Sequence, residues 1–128
     1  GDASSARPVP LPQEQAFPFY VSETEPGHYQ ITWEPAPQHY LYRHGFRVGF
    51  QAADTAEDYD LSYRIPAGIS KVDQFFGRVE VYYERVVVDV PAVPAAATGA
   101  ALLIEFQGCA EWGFCYPPQH ISFPLLPR

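Results

Sequence analysis

Along most of the chain apolar and polar residues alternate with the period of two that sends every second side chain to one face of a strand. Phe17, Phe19 and Val21 begin the series, and Tyr29, Ile31 and Trp33 alternate cleanly with Gln30, Thr32 and Glu34. Pro35, Ala36 and Pro37 break the pattern, after which Tyr40 and Tyr42 precede a second alternation in Phe46, Val48 and Phe50. Leu61, Tyr63 and Ile65 predict a short strand ending at Pro66, followed by a turn-rich link over Ala67 to Ser70. Val79 to Val90 predicts the longest strand, with Val86, Val87 and Val88 buried on both faces in the middle of a sheet. Pro91 to Ala100 carries two prolines and Thr98-Gly99, which predict a loop. Leu102, Ile104 and Phe106 are then matched by Ile121, Phe123 and Leu125, the pattern of a closing hairpin. Pro117, Pro118 and Pro124 push its return strand toward a sheet edge.

No stretch carries a convincing helical period, and fourteen prolines work against long helices. About seven to nine short strands separated by turns predict an all-β fold, an antiparallel β-sandwich of the immunoglobulin-like class. Residues 1–16, polar with Pro8, Pro10 and Pro12, are expected to form a linker or strap, leaving residues 17–128 as one globular domain. The acidic stretch Asp54 to Asp60 reads as a solvated loop.

Composition narrows the partners. With 47% hydrophobic and 18% charged residues the chain has enough apolar material for a core, and a net charge of -7 argues against nucleic acid or an anionic membrane surface. No apolar run approaches the length needed to span a bilayer, no signal peptide is evident, and the start at Gly1 has the look of a processed or engineered end. His28, His39, His44 and His120 match no common metal spacing and are expected at the surface. No metal or organic cofactor is called for.

The candidate chemistry lies in Cys109 and Cys115, the only cysteines, with five residues between them at the turn of the last hairpin. Directly opposed residues in a non-hydrogen-bonded antiparallel pair have Cα atoms about 4.5 Å apart, so a bond between them is geometrically easy. The antibody-type disulfide between sheets cannot form, because both cysteines lie on one hairpin, and the sulfurs must therefore occupy an end or edge of the sandwich. Two roles are open. A structural staple is the usual reading in an oxidising compartment, and the spacing is not the C-x-x-C of thioredoxin-like proteins. Against it, so small a loop contributes only about 2.4 kcal/mol in the chain-entropy account, and a chain this long buries its core without it. The other role is a redox pair that cycles by thiol-disulfide exchange.

A second feature is Lys71 to Arg78, where Phe75 and Phe76 are adjacent just before Gly77. Neighbours on a strand face opposite ways, so one ring is either exposed or covers something. The plain alternative is a hairpin tip with one core ring and one incidental surface ring.

Taken together, several segments resemble the amino-terminal periplasmic domain of the bacterial thiol:disulfide interchange protein family DsbD. They are Gln107-Gly108-Cys109-Ala110 and Gly113-Phe114-Cys115-Tyr116-Pro117-Pro118, then Gln15-Ala16-Phe17 with Phe19, Tyr40-Leu41-Tyr42-Arg43, and Asp73, Phe75 and Gly77. The resemblance implies an immunoglobulin-like domain that, in the full-length protein, is joined to a transmembrane domain and a thioredoxin-like domain in the inner membrane. It implies a periplasmic relay that takes electrons from that thioredoxin-like domain and passes them to thioredoxin-fold acceptors such as disulfide isomerases and cytochrome c maturation proteins. The domain itself would not touch the membrane. The competing function is an immunoglobulin-like binding or chaperone module with a purely structural disulfide.

The same resemblance makes Cys109 and Cys115 the redox pair, with Cys115 forming the intermolecular disulfide and Cys109 resolving it. It makes Asp73 to Gly77 a cap loop, in which Phe75 shields the disulfide and Phe76 is its neighbour. Tyr40 and Tyr42 are placed near the site, where they would bond Asp73 or pack under the cap, or else serve as ordinary strand aromatics. Gln74 departs from the family pattern, which has an acidic residue after the aspartate.

Overall fold

A computed structural model describes residues 8–128. Twelve strands follow a short helix, Gln13–Ala16: β1 (Phe19–Glu25), β2 (His28–Trp33), β3 (His39–Tyr42), β4 (Arg47–Gln51), β5 (Asp58–Asp60), β6 (Ile69–Asp73), β7 (Gly77–Tyr82), β8 (Val86–Val90), β9 (Ala101–Phe106), β10 (Gly108–Ala110), β11 (Phe114–Cys115) and β12 (Gln119–Pro124). They pair antiparallel in three sheets, ordered β1-β2-β8, β11-β10-β3-β7-β6 and β12-β9-β4-β5. The result is the expected immunoglobulin-like β-sandwich, with more and shorter strands than the alternation alone predicts.

Alternation in β2 drives the packing. Tyr29, Ile31 and Trp33 are buried, and Trp33 sets its ring edge-on to Phe46 and Phe106 at 4.9 and 5.4 Å between centroids. Those aromatic contacts join the three-stranded sheet to the sheet containing β9, whose Leu102 and Ile104 are also fully buried. In the five-stranded sheet β3 is buried on both faces: Leu41 belongs to the main core, whereas Tyr40, Tyr42, Val81 and Cys109 form a second, separate cluster. One strand of four residues thus feeds two cores, because neighbouring side chains point to opposite faces.

The structure corrects several expectations. Val79 to Val90 is not one strand: β7 ends at Tyr82, Glu84 adopts a left-handed backbone at φ 60°, and β8 resumes in a different sheet. There β8 lies at the edge, bridged on its outer side among the described residues only by Arg64 opposite Asp89, and Val87 is half-buried. Leu61, Tyr63 and Ile65 pack partly buried on the core without forming a strand. The acidic stretch supplies one instead, since Asp58–Asp60 pairs with β4 as β5. Its charges are balanced from the neighbouring strand by Arg47, whose guanidinium meets Asp58 at 2.8 Å, Asp60 at 2.5 Å and Glu105 at 3.0 Å. Ile69 and Ser70, expected in a turn, begin β6. Gln13–Ala16 makes one helical turn after Pro12, with Ala16 fully buried. Of the four histidines, His39 is buried rather than exposed, its ring edge-on to Phe17 at 5.7 Å.

The last hairpin forms as predicted in β9 and β12, with Ile104 opposite Ile121 and Leu102 opposite Phe123, and β12 lies at the sheet edge. The cysteines, however, are not at its tip. After Phe106 the chain leaves that sheet, and Gly108–Ala110 joins the five-stranded sheet beside β3. Gly108 makes the switch possible, because a Cβ there would fall on the Tyr40 carbonyl oxygen and the Phe17 ring.

Candidate redox site

Cys109 and Cys115 face each other across the two-stranded hairpin of β10 and β11, with Cα atoms 4.0 Å apart, and are joined by a disulfide. Cys109 is fully buried in the second cluster, whereas Cys115, on the edge strand, is half-buried. Backbone bonds brace the hairpin: Gly113 N–H donates to the Ala110 carbonyl at 3.1 Å and Tyr116 N–H to the Gly108 carbonyl at 3.0 Å. Gly113 has φ +106°, a conformation that glycine accepts without strain. The Gln107 side-chain amide donates to the Tyr116 carbonyl at 3.1 Å and lies 3.9 Å from Cys115 Sγ.

Tyr40 and Tyr42, two apart on β3, both turn toward the cysteines. Tyr42 Oη is 3.1 Å from Cys109 Sγ and 3.9 Å from Cys115 Sγ. Both hydroxyls also donate to Asp73 Oδ2, Tyr40 at 3.1 Å and Tyr42 in a closer contact. The other carboxylate oxygen, Oδ1, accepts the backbone N–H of Phe75 at 3.1 Å and of Phe76 at 2.7 Å. Asp73 is thus the last residue of β6 and the organiser of the tip: one oxygen shapes the turn at residues 74–76 and the other ties it to the tyrosines beneath. Burial pushes the Asp73 carboxyl up, but the bonds from Tyr42, Phe76, Tyr40 and Phe75 outweigh it and hold the group below the ordinary aspartate range. Burial, with the Asp73 carboxylate adding to it, pushes the Tyr40 hydroxyl up to about 12 and raises Tyr42 further. The arrangement at neutral pH is therefore one carboxylate held by two protonated phenols.

At the tip Phe75 is 44% and Phe76 52% exposed, so neither ring is a core residue. Phe76 stands edge-on to Tyr42 at 4.9 Å and to His44 at 4.8 Å. Phe75 makes no ring-to-ring contact among the described residues; its backbone N–H is held by Asp73. Gln74 crosses from the tip to the cysteine loop, its Nε2 being 2.8 Å from where a Cβ on Gly113 would stand. Gly77, at φ +75°, closes the hairpin opposite Asp73. A cleft of about 230 Å³ separates the two loops, lined among others by Tyr40, Asp73, Gln74, Glu111 and Gly113.

Some neighbours carry no distinct sequence signal. Glu111, inside the cysteine loop, pairs with Lys71 at 3.3 Å and accepts from the Tyr83 hydroxyl. Lys71 also sits 5.1 Å over the Tyr40 ring. His44 could have been noticed as the continuation of Tyr40 and Tyr42 at a spacing of two. Among the described residues no group of three His, Cys, Asp or Glu side chains is placed to hold a metal ion, and no helix is long and apolar enough to cross a membrane.

What this geometry permits is exchange at one sulfur. A thiolate attacks a disulfide sulfur roughly along the S–S axis, displacing the other sulfur as a thiolate. Cys115 is the sulfur nearer solvent, and the buried Cys109 is then the group displaced, beside the Tyr42 hydroxyl.

Residues 7–127 match the family described as thiol:disulfide interchange protein DsbD, N-terminal. Among relatives, DsbD of Cronobacter sakazakii is 39% identical over 117 residues and DsbD of Citrobacter koseri 36% identical over 116 residues, each match covering 90% of this chain. DsbD of Escherichia coli K12 is 34% identical over 115 residues. The chain spans 19% of the length of these relatives. Among solved structures, the reduced amino-terminal domain of Neisseria meningitidis DsbD superposes with a TM-score of 0.74 at 31% identity, covering 90% of this chain and 88% of that one. A second structure, the complex between the DsbD and PilB amino-terminal domains of the same organism, gives a TM-score of 0.69 at 29% identity, covering 89% and 85%.

Proposed function

The chain belongs to the family of DsbD amino-terminal domains, and from that membership we propose that it is a periplasmic relay passing electrons by thiol-disulfide exchange. The donor is the thioredoxin-like domain of the same full-length inner-membrane protein. The acceptors are periplasmic thioredoxin-fold proteins, disulfide isomerases and cytochrome c maturation partners among them. Of the expected linker or strap at 1–16, residues 1–7 lie outside the described residues; residues 8–16 lead into the exchange domain at 17–128, and the bond from the Tyr116 hydroxyl to the Leu11 carbonyl at 2.7 Å supports a strap there.

The observation that carries the proposal is the separation of the disulfide from the main core. Cys109 and Cys115 pack with Tyr40, Tyr42 and Val81 in a cluster of their own, so opening the bond need not disturb Trp33 and its neighbours. In the donor step a thiolate of the thioredoxin-like domain bonds to Cys115 Sγ and Cys109 leaves as a thiolate. The donor's second thiol then displaces Cys115, and two electrons have entered the domain. In the acceptor step Cys115 attacks the acceptor disulfide and Cys109 resolves the mixed disulfide, reforming the bond as the acceptor is reduced. Asp73 to Gly77 serve as the cap, with Phe75 shielding the sulfurs until a partner displaces it. Neutral Gln74 brings no second carboxylate to the tip, so the charge there is that of Asp73 alone.

A thioredoxin-like domain in its reduced form will therefore reduce the Cys109–Cys115 bond while far-UV circular dichroism stays unchanged. The bond closes a small loop, and the core does not depend on it. Cooperative loss of the β signal on mild reduction would instead favour the binding or chaperone module with a structural disulfide.

A further inference from the structure

The geometry points to His44 as a positioning residue of the cap, an aromatic clasp that holds Phe76, and through it the tip at residues 74–76, against the body of the domain. The inference rests on the reading of Asp73 to Gly77 as a cap over a redox pair. His44 lies in the 3-10 turn Arg43–Gly45, just past the end of β3. Its imidazole stacks on the Tyr42 ring, with centroids 4.7 Å apart and planes inclined by 24°. Phe76 closes the group, edge-on to Tyr42 at 80° and to His44 at 64°.

The far end of Tyr42 carries the hydroxyl that touches Cys109 and Asp73. The cap is thus fastened at two places of different character. Asp73 is tied by buried hydrogen bonds, whereas Phe76 is held at the surface by the two rings. Among the described residues no other ring meets Phe76. His44 is exposed, and among the described residues its ring meets only those of Tyr42 and Phe76, so it lies where the second cluster meets the tip. A single aromatic contact at such a site is modest in strength, which suits a clasp that an arriving protein must open and that closes again when it leaves.

The test uses the oxidised chain and measures the second-order rate of its reduction by dithiothreitol at fixed pH, for the wild type, His44→Ala, His44→Phe, Phe76→Ala and the double variant His44→Ala with Phe76→Ala. His44→Ala should react roughly threefold to tenfold faster, the factor expected from losing one aromatic pair. His44→Phe, which restores a flat ring, should return to within about twofold of the wild type. The double variant should be no faster than Phe76→Ala alone, because the two residues act through one contact. Equal rates for His44→Ala and the wild type, failure of His44→Phe to restore the slow rate, or rate factors that simply multiply in the double variant would each overturn the proposal. The relay reading fails separately, through the reduction potential, since relative rates are readable whether the bond is redox-active or structural.

Discussion

Cys109→Ala will accumulate a mixed disulfide with a thioredoxin-like partner through Cys115, and Cys115→Ala will accumulate little, a difference on the order of tenfold or more. The expectation follows from where the two sulfurs sit. Cys109 is fully buried among Tyr40, Tyr42 and Val81, so a partner's sulfur reaches it only after the cluster is opened. Cys115 lies on β11, the outermost strand of its sheet, and is half-buried. With Cys109 removed, nothing inside the domain resolves the adduct at Cys115, and it should persist. With Cys115 removed, the remaining thiol is hidden. Mass spectrometry of the covalent complex, after digestion, identifies the linked cysteine. Efficient trapping through Cys109 would invert the assignment of roles.

The second large effect concerns Asp73. Four hydrogen bonds converge on its carboxylate, two from phenols and two from the backbone of the tip. A hydrogen bond to a charged group contributes about 1.5–3 kcal/mol, so Asp73→Asn, which replaces one acceptor oxygen by a donor, should free the tip and speed reduction by a small phosphine roughly tenfold to a hundredfold at pH 7. The wild type should show the same loosening in acid. The carboxyl is held below its ordinary value in the folded state. Its contribution is therefore complete above the unfolded aspartate value of about 3.9 and is lost as pH falls through the lower folded value. Measured against a small reference disulfide, the wild-type rate should climb below about pH 4, and Asp73→Asn should lack that step. A variant as slow as the wild type at pH 7 would show that Asp73 does not hold the tip.

Much of this was legible in the chain. The alternation through Tyr29, Ile31 and Trp33 forecast a half-buried strand, and the spacing of the cysteines forecast facing positions on a hairpin, because both depend only on neighbouring residues. What escaped depends on partners distant in sequence. Nothing local announces that the chain changes sheets at Gln107, since a strand has the same period in whichever sheet it joins. Glu84 at positive φ gives no warning either, because glutamate is not a turn residue, and so two strands read as one. Asp58–Asp60 read as solvent-exposed loop because the Arg47 that balances the charge lies eleven or more residues earlier in the chain. At the tip, adjacency established that Phe75 and Phe76 diverge, but only the fold shows that Phe76 is the one meeting Tyr42 and His44.

The central claim is that the Cys109–Cys115 bond is a carrier of electrons and not a staple. Its most direct measurement is the reduction potential, obtained by equilibrating the chain with a thioredoxin-like protein of known potential and quantifying the thiols. A relay must exchange electrons with such partners, so the potential should lie above about -300 mV, with the β-sandwich intact in both redox states. A potential below that value, or unfolding on reduction, would contradict the account.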